Sequence, residues 1–167
     1  MMDTTDKTKD NKKHSLTMLK IFRFMMENGY APEFKENYIL FSIDDNMAVL
    51  EYEEGILSVR IFFTIEKDEY DTFLEVSNRA MIQSFMIRAV ILDDSSCIMF
   101  SCETICENLH DFRRFLPRMV ELSKEGLKIH KAEMKDMIAT EELLKRTMPA
   151  ADERIVATGK SSNKLLS

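Results

Sequence analysis

The sequence predicts an α+β domain: an antiparallel five-stranded sheet with helices packed mainly on one face, in the order α-β-β-β-α-β-β-α. Three observations predict it. Apolar residues recur at helical spacing in three segments. Five short runs rich in β-branched and aromatic residues lie between them. Along those runs, one side of each strand is apolar and uncharged once the turns fix the pairing.

The first helix is read from about Leu16 to Glu27, with Ser15 as its cap and Leu16, Leu19, Phe22, Met25 and Met26 on its apolar stripe. Asn28-Gly29 and then Pro32 stop it. Tyr38 to Asp44, Met47 to Glu53 and Ile56 to Ile65 read as three strands. Their turns, Asp45-Asn46 and Glu54-Gly55, hold residues that tolerate positive φ. Glu69 to Ser84 returns to helical spacing, with Tyr70, Phe73, Leu74, Ser77, Ala80 and Met81 as its stripe and Asp68 as its cap. Phe85 to Leu92 and Cys97 to Glu103 form the fourth and fifth strands around a polar turn, Asp93-Asp94-Ser95-Ser96. The last helix runs from near Asn108 to about Ile138, where Pro117 or Gly126 could interrupt it, and a short helix follows Thr140. The chain therefore divides into a disordered N-terminal tail (1–14), one α+β domain (15–139), and a short helix with a disordered C-terminal tail (140–167).

Side chains alternate faces along a strand. Pairing Asp44 with Met47 and Glu53 with Ile56 puts Ile39, Phe41, Ile43, Ala48, Leu50, Tyr52, Leu57, Val59, Ile61 and Phe63 on one side. Pairing Leu92 with Cys97 adds Ile87, Ala89, Ile91, Ile98, Phe100 and Cys102. No charge falls on that side, which is the core face. The other side is mixed: Leu40, Met47, Val49, Phe62, Met86, Val90 and Met99 stand among Glu51, Arg60 and Arg88. A face made only for water would be mostly polar, and contiguous apolar patches mark interaction surfaces. Tyr38, Leu40, Val49, Phe62, Val90 and Met99 are the expected partner contacts, with Arg60 and Arg88 as polar anchors.

Length supplies a second expectation. A helix from Asn108 to Ile138 spans roughly 45 Å, whereas a seven-residue strand covers about 23 Å. The distal half would overhang its own sheet, so Leu127, His130, Met134 and Met137 are expected at a homodimer interface.

Bulk properties narrow the function. The 167 residues include 23 Lys+Arg against 29 Asp+Glu, a net charge of −6 that disfavours nucleic acid and anionic membranes. The N-terminal tail alternates Asp and Lys and has no apolar stretch of the secretory kind. No run approaches the about 20 apolar residues of a membrane span, so a soluble cytoplasmic protein is expected. Three cysteines fit free thiols better than a set of bridges. The four glycines are isolated, which excludes phosphate-binding and dinucleotide loops, and no serine sits in a nucleophile-elbow context. No catalytic residue, metal or cofactor is expected, and the protein is read as a non-enzyme. Asp44-Asp45-Asn46 and Asp93-Asp94 are turn chemistry without calcium-loop spacing. Arg113, Arg114 and Arg118 are read as a solvated patch paired with Asp111 and Glu121. The competing reading is a metal- or redox-responsive site at Cys97, Cys102, Cys106 and His110, whose last three members are four residues apart. A third is a small-molecule-binding regulatory domain, which would need a pocket.

The stretches LTMLKIFRFMMENGY, YILFSIDDNMAVLEYEEGILSVRIFF, YDTFLEVSNRAMIQ, MIRAVILDDSSCIMFSCE and NLHDFRRFLPRMVELSKEG follow one another in an order that resembles the YbjN-like family, grouped with the type III secretion chaperone-like fold. The likeness covers about Leu16 to Met137 and rests on element order, not on a catalytic signature. It implies a non-enzymatic, acidic, often dimeric protein. Members are candidate sensory transduction regulators, and secretion chaperones of that fold hold partner segments on sheet and helix surfaces. The long last helix and polar tails depart from the pattern, and no family site residues carry over. The expected function is thus a protein-binding module that holds a partner segment on its mixed sheet face.

Overall fold

The computed structural model describes residues 15–84, 86–92 and 97–147. The expected tails, His14 and the Asp93–Ser96 turn lie outside them.

Helix α1 spans Met18–Glu27. Its cap is Thr17, whose Oγ1 accepts from Lys20 N at 3.3 Å, and not Ser15, which bridges to Asn108. Gly29, at φ 79°, supplies the left-handed turn that ends the helix. Strand β1, Glu33–Phe34, is a two-residue edge too short for alternation to announce it. Strands β2 (Ile39–Ile43), β3 (Asn46–Glu53) and β4 (Ile56–Thr64) follow as a meander. The first turn is Asp44-Asp45, not Asp45-Asn46, because Asp44 takes the left-handed φ of 52° that Asp accommodates. Ile43 therefore pairs with Asn46, two residues from the expected register. A two-residue shift preserves every side chain's face. The Glu53–Ile56 pairing stands as expected.

A turn of 3₁₀ helix (Lys67–Glu69) leads into α2, Tyr70–Gln83. Its start is held by Glu66 N donating to Glu69 Oε2 at 3.1 Å, in place of the expected Asp68 cap. Strands β5 (Ile87–Ile91) and β6 (Cys97–Ile105) form the second hairpin in the expected register, with Leu92 N donating to Cys97 O at 2.9 Å. Helix α3 then runs unbroken over Leu109–Thr147, 39 residues or about 58 Å. Asn108 opens it, accepting from Asp111 N at 2.9 Å and donating to Asp111 Oδ2 at 2.7 Å. In place of the expected separate short helix after Thr140, α3 continues through it to Thr147. Pro117 does not break α3, since it and Arg113, whose carbonyl loses its N–H partner, lie on the exposed side where water can serve.

The six strands form one antiparallel sheet in the order β1-β2-β3-β4-β6-β5. The β4–β6 ladder joins the two hairpins, pairing Val59 with Cys102 and Ile61 with Phe100. The core face is as the alternation predicts: Ile39, Phe41, Ile43, Leu50, Leu57, Val59, Ile61, Ile98 and Cys102 are buried. Against them pack Ile21 and Met25 of α1 and Phe112, Leu116 and Met119 of α3. Phe73 of α2 packs against the same core, so the three helices among the described residues take the same side.

Candidate functional site: the open face of the sheet

With the described helices on one side, no described residue covers the other side of the sheet, and the register arranges that face in bands. Phe62 pairs with Met99, and Met99 with Val90. One position beyond the Ala48–Ile61 pair, Met47 stands opposite Phe62. These four make an apolar row across four strands. Met47 is 58% exposed, Phe62 42% and Val90 41%, while Met99 is half-buried between them.

The next row is Leu40, Val49, Arg60, Ser101 and Arg88. Beyond it, Glu51 pairs with Ser58 and Ser58 with Glu103. The Arg60 guanidinium bridges these rows, bonded to Glu51 through Nη1 and 3.5 Å from Glu103 through Nη2. Arg88 Nη2 donates to the other Glu103 oxygen at 2.6 Å. The chain thus closes its own charge network, while Arg60 Nε remains buried without a partner. At the far end, Ile56 and Ile105 are paired and exposed. The face is therefore apolar, then ionic, then apolar again.

Seven of the eight residues expected as partner contacts lie on this face, Leu40, Val49, Arg60, Phe62, Arg88, Val90 and Met99, while Tyr38 precedes β2 and is outside the ladder. The two arginines are already engaged by Glu51 and Glu103, so they are fixed parts of the surface more than free anchors. Met47 completes the apolar row, and the alternation had already put it on this side.

The expected dimer residues sit differently. Leu127, His130 and Met137 are buried within the chain, and Met134 is half-buried. Helix α2 supplies the cover: His130 Nε2 lies 3.3 Å from Ser77 Oγ, and the ring stacks on Phe73 with centroids 5.8 Å apart. Phe100 meets the same ring edge-on at 4.9 Å. The expectation that these side chains need a second subunit is corrected. It ignored that α2 can lie along the distal half of α3. Burial holds the His130 imidazole below its ordinary pKa.

The cysteine constellation does not assemble. Cys102 points into the core from β6, Cys97 lies on the opposite face, and His110 is exposed on α3. Cys106 is buried, with its thiol 3.7 Å from Asn108 O. Burial pushes the Cys102 and Cys106 thiols up to about 11, which disfavours the thiolate a metal needs. Among the described residues, no group of three His, Cys, Asp or Glu side chains could hold a metal ion. Arg113 does not pair locally as expected: its guanidinium lies over Phe24, 5.7 Å from the ring centre. No helix among the described residues is long and apolar enough to cross a membrane.

The architecture defines a class: an α+β fold whose antiparallel sheet carries the described helices on one side. The same fold occurs in the crystal structure of YbjN, a candidate transcription regulator from E. coli. That structure matches 71% of this chain and 94% of its own length with a TM-score of 0.58 at 9% identity, which establishes likeness of fold. No protein-family model and no curated protein matches the sequence.

Proposed function

We propose that the chain is a non-enzymatic, regulatory protein-binding module that holds a segment of a protein partner on the open sheet face. The observation that carries this reading is the row Met47, Phe62, Met99, Val90, apolar and not covered by any described residue, beside a closed ion network. Covering three half-exposed apolar side chains gains about 1 kcal/mol each, less than the cost of association, about 4–15 kcal/mol. The partner must therefore also engage the Leu40–Val49 flank or the ionic band. The description of the YbjN structure as a candidate transcription regulator suits a module that works through protein contacts. A net charge of −6 argues against a direct grip on nucleic-acid phosphates.

The test compares proteins retained by wild type, Phe62→Asp and Val90→Asp from the native host, with circular dichroism to verify folding. Each carboxylate would be trapped against the partner's apolar surface, so a specific partner should be lost from both variants. An unchanged partner set with intact folds refutes the reading. Light scattering at two concentrations separates the competing occupant, a second copy of the chain: a mass that doubles in wild type and falls to the monomer in Val90→Asp would make this face a homodimer interface.

A further inference from the structure

On the helix side, a pocket of about 370 Å³ opens between the sheet and helices α2 and α3. Phe63, Ile98 and Phe100 form its floor, Phe73 one wall, and Leu127, His130 and Met134 the other. Phe63 and Phe100 meet edge-to-face at 5.7 Å, and His130 closes the depth with its polar atom turned to Ser77. The interior is thus apolar and uncharged. Its mouth is not: Lys131 and Lys135, one helical turn apart, stand on the rim. They belong to a stripe, Lys124, Lys128, Lys131 and Lys135, on one face of α3. Lys124 is paired with Asp44 at 3.1 Å, but Lys128, Lys131 and Lys135 form no ion pair among the described residues.

We propose that this pocket binds a small amphiphile with an anionic head group, its apolar tail between Phe63, Phe73, Phe100 and Met134 and its head between Lys131 and Lys135. Several observations converge on that class. The volume falls in the range of small-molecule sites, about 300–1,000 Å³, and exceeds twice the roughly 150 Å³ cavity that accepts benzene. The walls offer no charged group to pair with a buried head, so the head must stay at the rim. Like charges one turn apart on a helix repel, and an anion relieves that repulsion. An aromatic pocket could instead suit an organic cation, but the rim lysines oppose one. The site lies on the opposite side of the sheet from the protein-binding face and stands independently of that reading.

The test is calorimetric titration of the full chain with decanoate, its neutral analogue decanol, and decyltrimethylammonium, all below micelle-forming concentrations. Wild type should bind decanoate saturably at one site, decanol about tenfold more weakly, as two rim charge contacts imply, and the cation more weakly still. Lys131→Gln/Lys135→Gln, altering only exposed side chains, should bring decanoate down to the level of decanol and leave decanol unchanged. Met134→Trp, which fills the pocket from its half-buried rim, should abolish both. Absence of saturable decanoate binding overturns the proposal. So does equal binding of the cation, undiminished binding by the lysine double variant, or decanoate binding that survives Met134→Trp.

Discussion

Gly126 sits within α3 where the helix lies against Ile87 of the edge strand β5. A Cβ built there would lie 3.1 Å from Ile87 Cγ1, 3.2 Å from Cγ2 and 3.4 Å from Cβ, inside the ordinary carbon contact of about 3.5–4.0 Å. Ile87 is 7% exposed and paired with Cys102, so its backbone is held. The β-branched side chain is stiff at χ1, and its Cβ itself lies within 3.4 Å, so rotation relieves at most part of the contact. Gly126→Ala gains about 1 kcal/mol of helix propensity but meets an overpacking cost of about 1–3 kcal/mol. A net loss of about 1 kcal/mol is expected. In an Ile87→Ala background the obstruction is gone, and Gly126→Ala should stabilise by about 1 kcal/mol. The coupling, about 2 kcal/mol, is well above the roughly 0.3–0.5 kcal/mol scatter of independent sites. Urea unfolding of the four proteins followed at 222 nm measures the cycle. Additivity, or stabilisation by Gly126→Ala alone, refutes the close contact and with it the seating of α3 on β5.

His130 provides a second prediction. Its folded pKa is depressed by burial, so the unfolded chain binds more protons as pH falls below its ordinary value of 6.5; stability is fully present above that pH and declines beneath it, by up to about 1.4 kcal/mol per unit, and His130→Gln should flatten this slope in urea melts at pH 5 to 7. Thiol titration at pH 8 should modify the half-buried Cys97 in the native protein, with Cys102 and Cys106 reacting only in denaturant because both are buried with pKa values near 11; rapid native labelling of Cys102 would contradict the core seen here. Glu103→Gln should weaken the links to both Arg60 and Arg88 while lowering stability by about 1 kcal/mol or less, because these pairs are partly solvated; a larger loss in urea melts would mean the network is far less hydrated than its exposure indicates.

The sheet was legible because alternation is a local rule that errors of two residues do not damage. The misassigned turn at Asp45-Asn46 shifted the register by two and left every face intact. The two-residue strand Glu33–Phe34 was not legible, since so short a run shows no alternation. The open-face residues were found for the same reason as the core: parity assigns both sides at once. What failed was inference about helix packing. Nothing in Leu127, His130, Met134 or Met137 says which surface covers them, and the length argument considered only the sheet as a cover. The stripe of Ser77 and Phe73 on α2 was visible, but its meeting with His130 is a tertiary fact. The pocket was equally hidden, although the lysine repeat on its rim could be read from the sequence.

The sheet's two edges bear on how a partner approaches. A bare edge invites strand addition, yet β5 is guarded. Leu92 and Cys97 form a hydrogen-bonded pair, so the N–H of Ala89 points away from β6. That N–H lies 3.3 Å from Met81 Sδ of α2, and the thioether occupies the place where an added strand would put a carbonyl. On the other edge, β1 covers the start of β2, with Glu33 opposite Leu40 and Phe34 opposite Ile39. Strand addition is therefore obstructed at Ala89 of β5 and at Ile39 and Leu40 of β2, whereas no described residue lies over the row from Met47 to Val90. For the partner proposed above, the guarded Ala89 N–H favours side-chain packing on the face over strand addition, with an energetic consequence: binding should depend on Phe62 and Val90 and be indifferent to Met81→Leu, which removes the sulfur but keeps the bulk. A partner gained or tightened by Met81→Leu would mean that the edge, and not the face, is the docking element.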